Sequence, residues 1–203
     1  MKEGYKILKF RVILLSLIAF LVISLGFSST SADAATTGWK YTSGNWYYYQ
    51  NDMLVKGWLY DGKNWYYMNS SGVMQTGWIY WKNDWYYLDK SGAMVTGWIT
   101  WNNQRYYLAS DGAMATGWLK WSNKWYFLAS SGAMKTGWLN NNGTYYYLQS
   151  DGVMATGWLQ LGSDSYFLKS SGARSTGFTQ INGSYYYFNS NGTLQKNQWL
   201  TID

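Results

Sequence analysis

The 203-residue sequence contains no cysteine, no histidine and no proline, and its only glutamate is Glu3. Without cysteine or histidine the chain has no disulfide framework, no thiolate nucleophile, no imidazole base and no zinc site. Charged residues make up 13% of the chain, whereas an ordinary globular domain carries about 25%. The polar surface must therefore come mainly from Ser, Asn, Thr and Tyr, and we predict neither a bound metal nor a cofactor.

Aromatic residues are, by contrast, abundant: they form 21% of the chain, with 15 Trp and 21 Tyr. The formal net charge is +6, and residues 1–34 hold four of the 16 bases and two of the 10 acids. The other 12 bases and 8 acids leave a net charge of +4, spread without a Lys or Arg cluster. A mild and dispersed positive charge predicts no nucleic-acid partner.

The first 34 residues have the pattern of a secretory signal peptide. Lys2, Lys6, Lys9 and Arg11 form a basic start, residues 12–27 are apolar at all but three positions, and residues 32–34 read Ala-Asp-Ala. The apolar run is shorter than the roughly 20 residues of a membrane span, which favours cleavage near residue 35 over an uncleaved anchor. We therefore predict a secreted protein with no stable membrane span after cleavage.

The rest of the chain, residues 35–203, is built from one repeated unit. A Gly-Trp or Gly-Phe pair begins at Gly38, Gly57, Gly77, Gly97, Gly117, Gly137, Gly157 and Gly177. The spacing is 19 residues for the first interval and 20 thereafter. A unit this short cannot bury a core alone, so neighbouring units must stack. We predict one repeat domain of about eight repeats over residues 35–203, the last of which is a cap.

Each repeat has the pattern of a β-hairpin. Residues 76–94 read TGWIYWKNDWYYLDKSGAM, in which two aromatic and β-branched runs, 78–81 and 85–88, enclose a turn cluster at 82–84. A second turn, 89–92, and a connector, 93–96, complete the unit. The fold class predicted is all-β: a β-solenoid of stacked β-hairpins built from 20-residue aromatic repeats.

Alternation along the second strand sorts its side chains onto two faces. Tyr86 and Leu88 share one face, which we predict to line the core. Trp85 and Tyr87 share the other, beside Trp78. On periodicity alone a packed core explains these rings better than a binding surface does, and both interpretations stay open at this point.

The run WYYL-x-x-SGAM-x-TGW resembles the choline-binding repeats of Gram-positive surface proteins, a branch of the cell-wall-binding repeats, over the whole chain after residue 35. The resemblance implies a non-catalytic protein that attaches non-covalently to choline groups of teichoic or lipoteichoic acid and is retained on the cell wall. Choline is a quaternary ammonium without an N–H group, so an aromatic cage recognises it through cation–π attraction.

The family pattern also implies which residues form each cage. It takes the Trp of Gly-Trp and the first aromatic of Trp-Tyr-Tyr from one repeat, the third aromatic from the next repeat, and a connector Met. The sets that follow are Trp39, Trp46 and Tyr67 with Leu54 where Met is usual; Trp58, Trp65 and Tyr87 with Met74; Trp78, Trp85 and Tyr107 with Met94; Trp118, Trp125 and Tyr147 with Met134; and the altered set Trp138, Tyr145 and Phe167 with Met154.

Two junctions depart from this pattern at the first aromatic. These are Arg105 between Trp98 and Phe127, and Ser165 between Trp158 and Tyr187, where Arg174 takes the place of Met. An arginine in a cage repels choline, so we expect these two junctions to be weak or empty. A true core position rarely accepts an unpaired Arg, which favours cages over a packed core.

The sequence leaves three alternatives open: a carbohydrate-binding module, an enzyme, and a purely structural or partner-binding role, which is compatible with choline binding. Related repeats bind glucans, so a carbohydrate-binding module is the main rival. An enzyme is disfavoured, because the acids after residue 34 are eight Asp that fall largely in turns, with no paired carboxylates. The resemblance also implies a homodimer through the C-terminal repeats, in which a partner chain completes the site of Phe178 and Tyr185, although residues 191–194 and Trp199 look like the cap of a monomer.

Overall fold

The computed structural model of the protein describes residues 35–196. The predicted signal peptide, residues 1–34, and the end of the predicted cap, residues 197–203 with Trp199, lie outside the described residues. Between residues 35 and 196 all regular secondary structure is β-strand. The same range contains no helix long and apolar enough to cross a membrane.

Within the described residues, seventeen strands form eight antiparallel hairpins, which we number in chain order. Hairpin 1 is β1 (Gly38–Thr42) with β2 (Asn45–Gln50), to which β3 (Met53–Leu54) adds a short third strand; hairpin 2 is β4 (Gly57–Tyr60) with β5 (Trp65–Met68); hairpin 3 is β6 (Gly77–Trp81) with β7 (Asp84–Leu88); hairpin 4 is β8 (Gly97–Trp101) with β9 (Gln104–Leu108). Hairpin 5 is β10 (Gly117–Trp121) with β11 (Lys124–Leu128); hairpin 6 is β12 (Gly137–Asn141) with β13 (Thr144–Leu148); hairpin 7 is β14 (Gly157–Leu161) with β15 (Asp164–Leu168); hairpin 8 is β16 (Gly177–Ile181) with β17 (Ser184–Phe188). The predicted all-β fold of stacked hairpins, one per repeat, is confirmed.

Most hairpins turn through two residues whose backbone is left-handed. Lys82 and Asn83 have φ of 48° and 72°, and Asn102 and Asn103 have φ of 46° and 58°. Two such residues form a type I′ turn, whose twist matches the twist of the strands that it joins. Among residues other than glycine, asparagine tolerates this left-handed conformation best. The turn predicted at 82–84 is thus one residue shorter, because Asp84 already begins β7.

In several repeats a polar side chain closes the second turn. In hairpin 3 the Oδ1 atom of Asp89 accepts hydrogen bonds from the amides of Ser91, at 2.7 Å, and Ala93, at 3.1 Å. Burial alone would raise the pKa of the Asp89 carboxyl, but these bonds and one from the Ser91 hydroxyl lower it overall. Asn69 accepts the same two bonds in hairpin 2, so no charge is needed at this place. Ala109 and Ala129 occupy it in hairpins 4 and 5, where the backbone hydrogen bonds of the turn are kept.

Register divides each hairpin into two faces. In hairpin 3, Trp78 pairs with Tyr87 and Tyr80 with Trp85, and residues opposite each other in an antiparallel pair project to the same side. We call this side the ring face. The other side, with Tyr86 and Leu88, is the core face.

The core is a ladder of one large apolar side chain from each of hairpins 2–8, at the end of the second strand. Its members, all with no exposed surface, are Met68, Leu88, Leu108, Leu128, Leu148, Leu168 and Phe188. Tyr86 is 9% exposed and Trp85 is 43% exposed, so the predicted assignment of these positions to core and surface is confirmed.

Each connector side chain lies over a glycine of the next repeat. A Cβ atom built on Gly112 would overlap the Sδ atom of Met94, and one built on Gly92 would overlap Met74. Gly112 also has φ of 85°. This position therefore requires glycine for two reasons: its positive φ, and the space that the methionine fills.

We expect Gly112→Ala to lower the free energy of unfolding more than Gly97→Ala. Both glycines have φ above 80°, so each alanine costs about 1–2 kcal/mol of backbone strain. Only at Gly112 does the new methyl group meet Met94, whereas nothing lies within 4 Å of a Cβ at Gly97. Urea unfolding of the two variants measures the difference, and equal losses would show that the methionine contact adds nothing.

Candidate functional site

The candidate site lies between consecutive hairpins, and we number each junction after the hairpin that precedes it. At junction 3 the indoles of Trp78 and Trp85, both on the ring face of hairpin 3, stand 6.4 Å apart at 84°. Tyr106 of hairpin 4 comes within 5.2 Å of Trp78. A cavity of about 260 Å³ opens there, lined by Trp78, Trp85, Trp101, Tyr106, Met114 and Ser131.

Junction 1 repeats this geometry at the start of the array. Trp39 and Trp46 are 6.3 Å apart at 88°, and Tyr66 of hairpin 2 lies 4.7 Å from Trp39. The cavity, of about 340 Å³, is lined by these three rings with Met74 and Ser91. Two rings from one hairpin thus face a third ring from the next hairpin at both junctions.

Junctions 2 and 5 have the same three-ring frame. At junction 2, Trp58 lies 6.4 Å from Trp65 and 5.0 Å from Tyr86. At junction 5, Trp118 lies 6.3 Å from Trp125 and 4.8 Å from Tyr146. Junctions 1, 2, 3 and 5 therefore share one arrangement, and we call them the open junctions.

The predicted third ring is corrected at every junction by one residue. The structure places Tyr67, Tyr87, Tyr107, Tyr147 and Phe167 beside the Trp of their own hairpins, at 5.2–5.3 Å. The rings that reach the preceding hairpin are instead Tyr66, Tyr86, Tyr106, Tyr146 and Tyr166. The reason is geometric: each hairpin turns its core face towards the ring face before it, and the second aromatic of the triplet is on the core face.

The predicted connector residue is likewise shifted by one repeat. Met114 pairs with Leu108 of its own hairpin, and its amide donates to the carbonyl oxygen of Trp85 at 2.8 Å. The connector that follows hairpin 4 therefore runs back to hairpin 3, and the other connectors do the same one hairpin back. By the same bonds Met74 joins Trp46, Met94 joins Trp65, Met134 joins Arg105 and Met154 joins Trp125, while Leu54 pairs within hairpin 1.

Two junctions hold an arginine against their rings. At junction 4 the guanidinium carbon of Arg105 lies 4.5 Å from the centre of the Trp98 ring. At junction 6 that of Arg174 lies 4.2 Å from Tyr145 and 5.5 Å from Trp138. Arg174 was predicted to lie at the junction of Ser165, but its amide donates to Tyr145, which assigns it to the junction before.

Junction 7 lacks the second ring, as its sequence indicates. Trp158 still meets Tyr186 at 5.1 Å, but Ser165 stands where the other junctions carry a ring or an arginine. Its hydroxyl donates to Gln160 at 2.7 Å. After hairpin 8, Phe178 and Tyr185 are 54% and 72% exposed, so no described residue covers them.

Three tryptophans that the sequence analysis did not single out also belong to junctions. Trp81, Trp101 and Trp121 lie 6.1–6.2 Å from the Gly-Trp indole of the preceding hairpin. They add a fourth ring to junctions 2 and 3 and a third ring to junction 4, where Arg105 replaces an aromatic residue. A Gly-Trp-x-x-Trp pattern in three consecutive repeats is the signal that would have found them.

Two ionisable groups at the junctions have shifted pKa values. At junction 1, Asp61 occupies the repeat position that Trp81 occupies at junction 2. The amides of Asn64 and Lys63 donate hydrogen bonds to the Asp61 carboxylate and lower its pKa. Burial raises the pKa of Tyr86, so this phenol stays neutral near pH 7. Within residues 35–196 no group of three or more acids is placed to hold a metal ion.

Comparisons with known proteins identify the family of these repeats. Residues 55–96 and 95–137 match the model of a choline-binding repeat, and residues 37–52, 136–154, 156–173 and 176–194 match that of a putative cell wall binding repeat. The structure of CbpJ from Streptococcus pneumoniae TIGR4 is 41% identical, with a TM-score of 0.78 over 82% of this chain and 68% of that chain.

Two further solved structures show the same likeness. Choline binding protein F from Streptococcus pneumoniae is 41% identical, with a TM-score of 0.72, and the match covers 79% of this chain and 58% of that one. The choline-binding domain of CbpL from the same species is 36% identical, with a TM-score of 0.64 over 81% of this chain and 90% of that one. No curated protein matches the chain.

Proposed function

The chain belongs to the choline-binding proteins with cell wall binding repeats, and from this premise we propose that each of its four open junctions binds one choline headgroup. The protein attaches to the cell wall through these repeats, and the repeat module itself is not catalytic. The open junctions comprise Trp39, Trp46, Tyr66 and Met74; Trp58, Trp65, Tyr86 and Met94; Trp78, Trp85, Tyr106 and Met114; and Trp118, Trp125, Tyr146 and Met154.

The observation that carries this proposal is the cavity at junction 3. Rings packed shut as a core would leave no space between them, whereas Trp78, Trp85 and Tyr106 border about 260 Å³ and Trp85 is 43% exposed. A trimethylammonium head offers no N–H group but a diffuse positive charge, which the faces of aromatic rings attract. The methionine adds a polarisable wall that contacts the methyl groups.

Single junctions bind choline weakly, and repetition makes attachment strong. A desolvated cation–π contact is worth about 2 kcal/mol. After the costs of binding, a three-ring cage yields about 4 kcal/mol, which corresponds to a Kd near 1 mM. Several sites that engage one polymer carrying many cholines raise the apparent affinity by a factor of about 10² or more.

The finer parts of the proposal concern where the protein acts. The polymer we propose is teichoic or lipoteichoic acid carrying phosphocholine, and the protein reaches it by secretion after cleavage near residue 35. Self-association through hairpin 8 is supported by the exposed rings of Phe178 and Tyr185. Sedimentation velocity from micromolar to millimolar protein measures it, and a monomer throughout would contradict that part.

Titration with choline, followed by tryptophan fluorescence, tests the central proposal. We expect saturation in the millimolar range with a stoichiometry near four, and release of the protein from a tertiary-amine resin by free choline. Glucan oligosaccharides serve as the control. Elution by glucans but not by choline would favour the carbohydrate alternative, and fluorescence unchanged by choline would contradict the proposal.

A further inference from the structure

Junction 6 has a complete aromatic frame. Trp138 lies 4.9 Å from Tyr166 of hairpin 7 at an angle of 65°, as the Gly-Trp indole lies against the next hairpin's Tyr at the open junctions. Tyr145 supplies the ring that Trp supplies elsewhere, and it is 37% exposed. The rings alone therefore qualify this junction as a cation site, and what distinguishes it is the connector residue.

Arg174 stands where the open junctions have methionine. Its amide donates to the carbonyl oxygen of Tyr145 at 2.8 Å, the bond that Met154 makes to Trp125. Its aliphatic stem lies over Gly192, in the way that Met154 lies over Gly172. Backbone and stem thus follow the methionine path, and only the head group differs.

The guanidinium of Arg174 lies among the rings of the junction. Its central carbon is 4.2 Å from the Tyr145 ring and 5.5 Å from the Trp138 ring, both within the roughly 6 Å of a cation–π contact. One Nη2 group donates to the carbonyl oxygen of Ser190 at 3.1 Å, whereas the buried Nε atom has no hydrogen-bond partner among the described residues. The two rings are therefore principal partners of this charge.

Arg105 provides an internal comparison at junction 4. Its guanidinium carbon lies 4.5 Å from the Trp98 ring, but the arginine replaces the first aromatic itself. Removing this charge would leave the frame without its second ring. Removing the charge of Arg174 would leave all three rings of junction 6 in place.

We infer that junction 6 is a fifth choline site, occupied in this protein by the guanidinium of Arg174 in place of the quaternary ammonium. A tethered group competes at an effective concentration in the millimolar range or above, which matches or exceeds the weak affinity of one cage for choline. The wild-type junction is thus held together without ligand, while the open junctions gain the same cation contact only from choline. The inference rests on the proposed function of the open junctions.

Arg174→Met tests the inference, because methionine occupies this connector position at the open junctions. By isothermal titration calorimetry we expect the choline stoichiometry to rise from four to five. Hydrogen exchange should show new choline-dependent protection in β13 and β15, which flank junction 6. The unliganded variant should melt at a lower temperature than the wild type, and choline should raise its melting temperature by more.

Matched variants separate a real site from a general effect of the lost charge. Arg105→Met removes a cation without restoring a ring, so it should leave the stoichiometry at four. Arg174→Met combined with Tyr145→Ala should return the count from five to four. Leucine already occupies the connector position at junction 7, as Leu194. Arg174→Leu should therefore behave like the methionine variant, and it guards against a folding defect peculiar to one substitution.

A stoichiometry of four in Arg174→Met and Arg174→Leu, with no new protection in β13 and β15, would overturn the inference and leave the proposed function standing. The absence of choline binding by the wild type as well would overturn the proposed function and, with it, the inference. A fifth site that also appears in Arg105→Met would show that the gain does not depend on the frame of junction 6, and it would likewise count against the inference.

Discussion

Replacing Trp46, Trp65 and Trp85 with alanine in one variant should release the protein from a choline-bearing resin. Each residue is the second ring of one open junction, and its loss opens the cage on one side. Only junction 5 would keep its frame. With the Kd near 1 mM proposed for one cage and a gain of about 10² or more from linked sites, we expect the apparent affinity to fall by at least that factor.

The three tryptophans are suitable for this test because they are exposed by 38–44% and lie outside the leucine ladder. We therefore expect the variant to keep its β-sheet circular dichroism. Retention is measured as the choline concentration that elutes the protein from the resin. Single substitution of Trp85 should remove one site of the four and shift elution in the same direction by a smaller amount.

The chain offers a matched control for the triple variant. Three tyrosines, Tyr41, Tyr60 and Tyr80, are also exposed. Each ring lies 5.1–5.2 Å from the ring of one of these tryptophans, in the order Trp46, Trp65 and Trp85. They do not line the cavities of junctions 1 and 3. Their joint replacement by alanine should leave elution near the wild-type value. Equal loss in both triple variants, or none in the tryptophan variant, would contradict the assignment of the cages.

Leu108→Ala should produce one of the large losses of stability expected in the array. Leu108 has no exposed surface and belongs to the ladder that holds hairpins together, between Leu88 and Leu128. Truncating a fully buried leucine typically costs about 2–5 kcal/mol, because transfer free energy is lost and a cavity remains. Stacked repeats contact only their neighbours, so the loss should concentrate at hairpins 3–5.

Urea unfolding monitored by circular dichroism measures this effect, and choline provides a second arm. Ligands that bind only the folded state raise its stability, so saturating choline should recover part of the loss in Leu108→Ala. Met53→Ala is the control, because Met53 is 69% exposed and should change the free energy of unfolding little. A loss below about 1 kcal/mol in Leu108→Ala would contradict the role of the ladder.

Much of the fold could be predicted from local pattern. The spacing of Gly-Trp pairs predicted one hairpin per repeat, and the alternation at Tyr86 and Leu88 predicted the buried face; both are confirmed. These features depend on hydrogen bonds and side-chain directions within about 20 residues. A local period is therefore enough to specify them.

The membership of each cage could be predicted only in part. The two rings from one hairpin, such as Trp78 and Trp85, lie together as expected, because strand register alone brings them onto one face. The sequence misplaced the third ring by one residue and the methionine by one repeat. Choosing between Tyr106 and Tyr107 requires the rotation of one hairpin relative to the next, which alternation along a strand does not contain.

The sequence by itself determined the family, the number of repeats, the turns and the face on which each side chain lies. Only the tertiary structure decided that Tyr106 completes junction 3, that Met114 rather than Met94 borders it, and that Arg174 lies against Tyr145 and Trp138. The physical reason is that face and turn follow from bonds within one repeat. Contacts across a junction follow instead from how the core face of one hairpin packs on the ring face of another, and from the backward path of the connector between them.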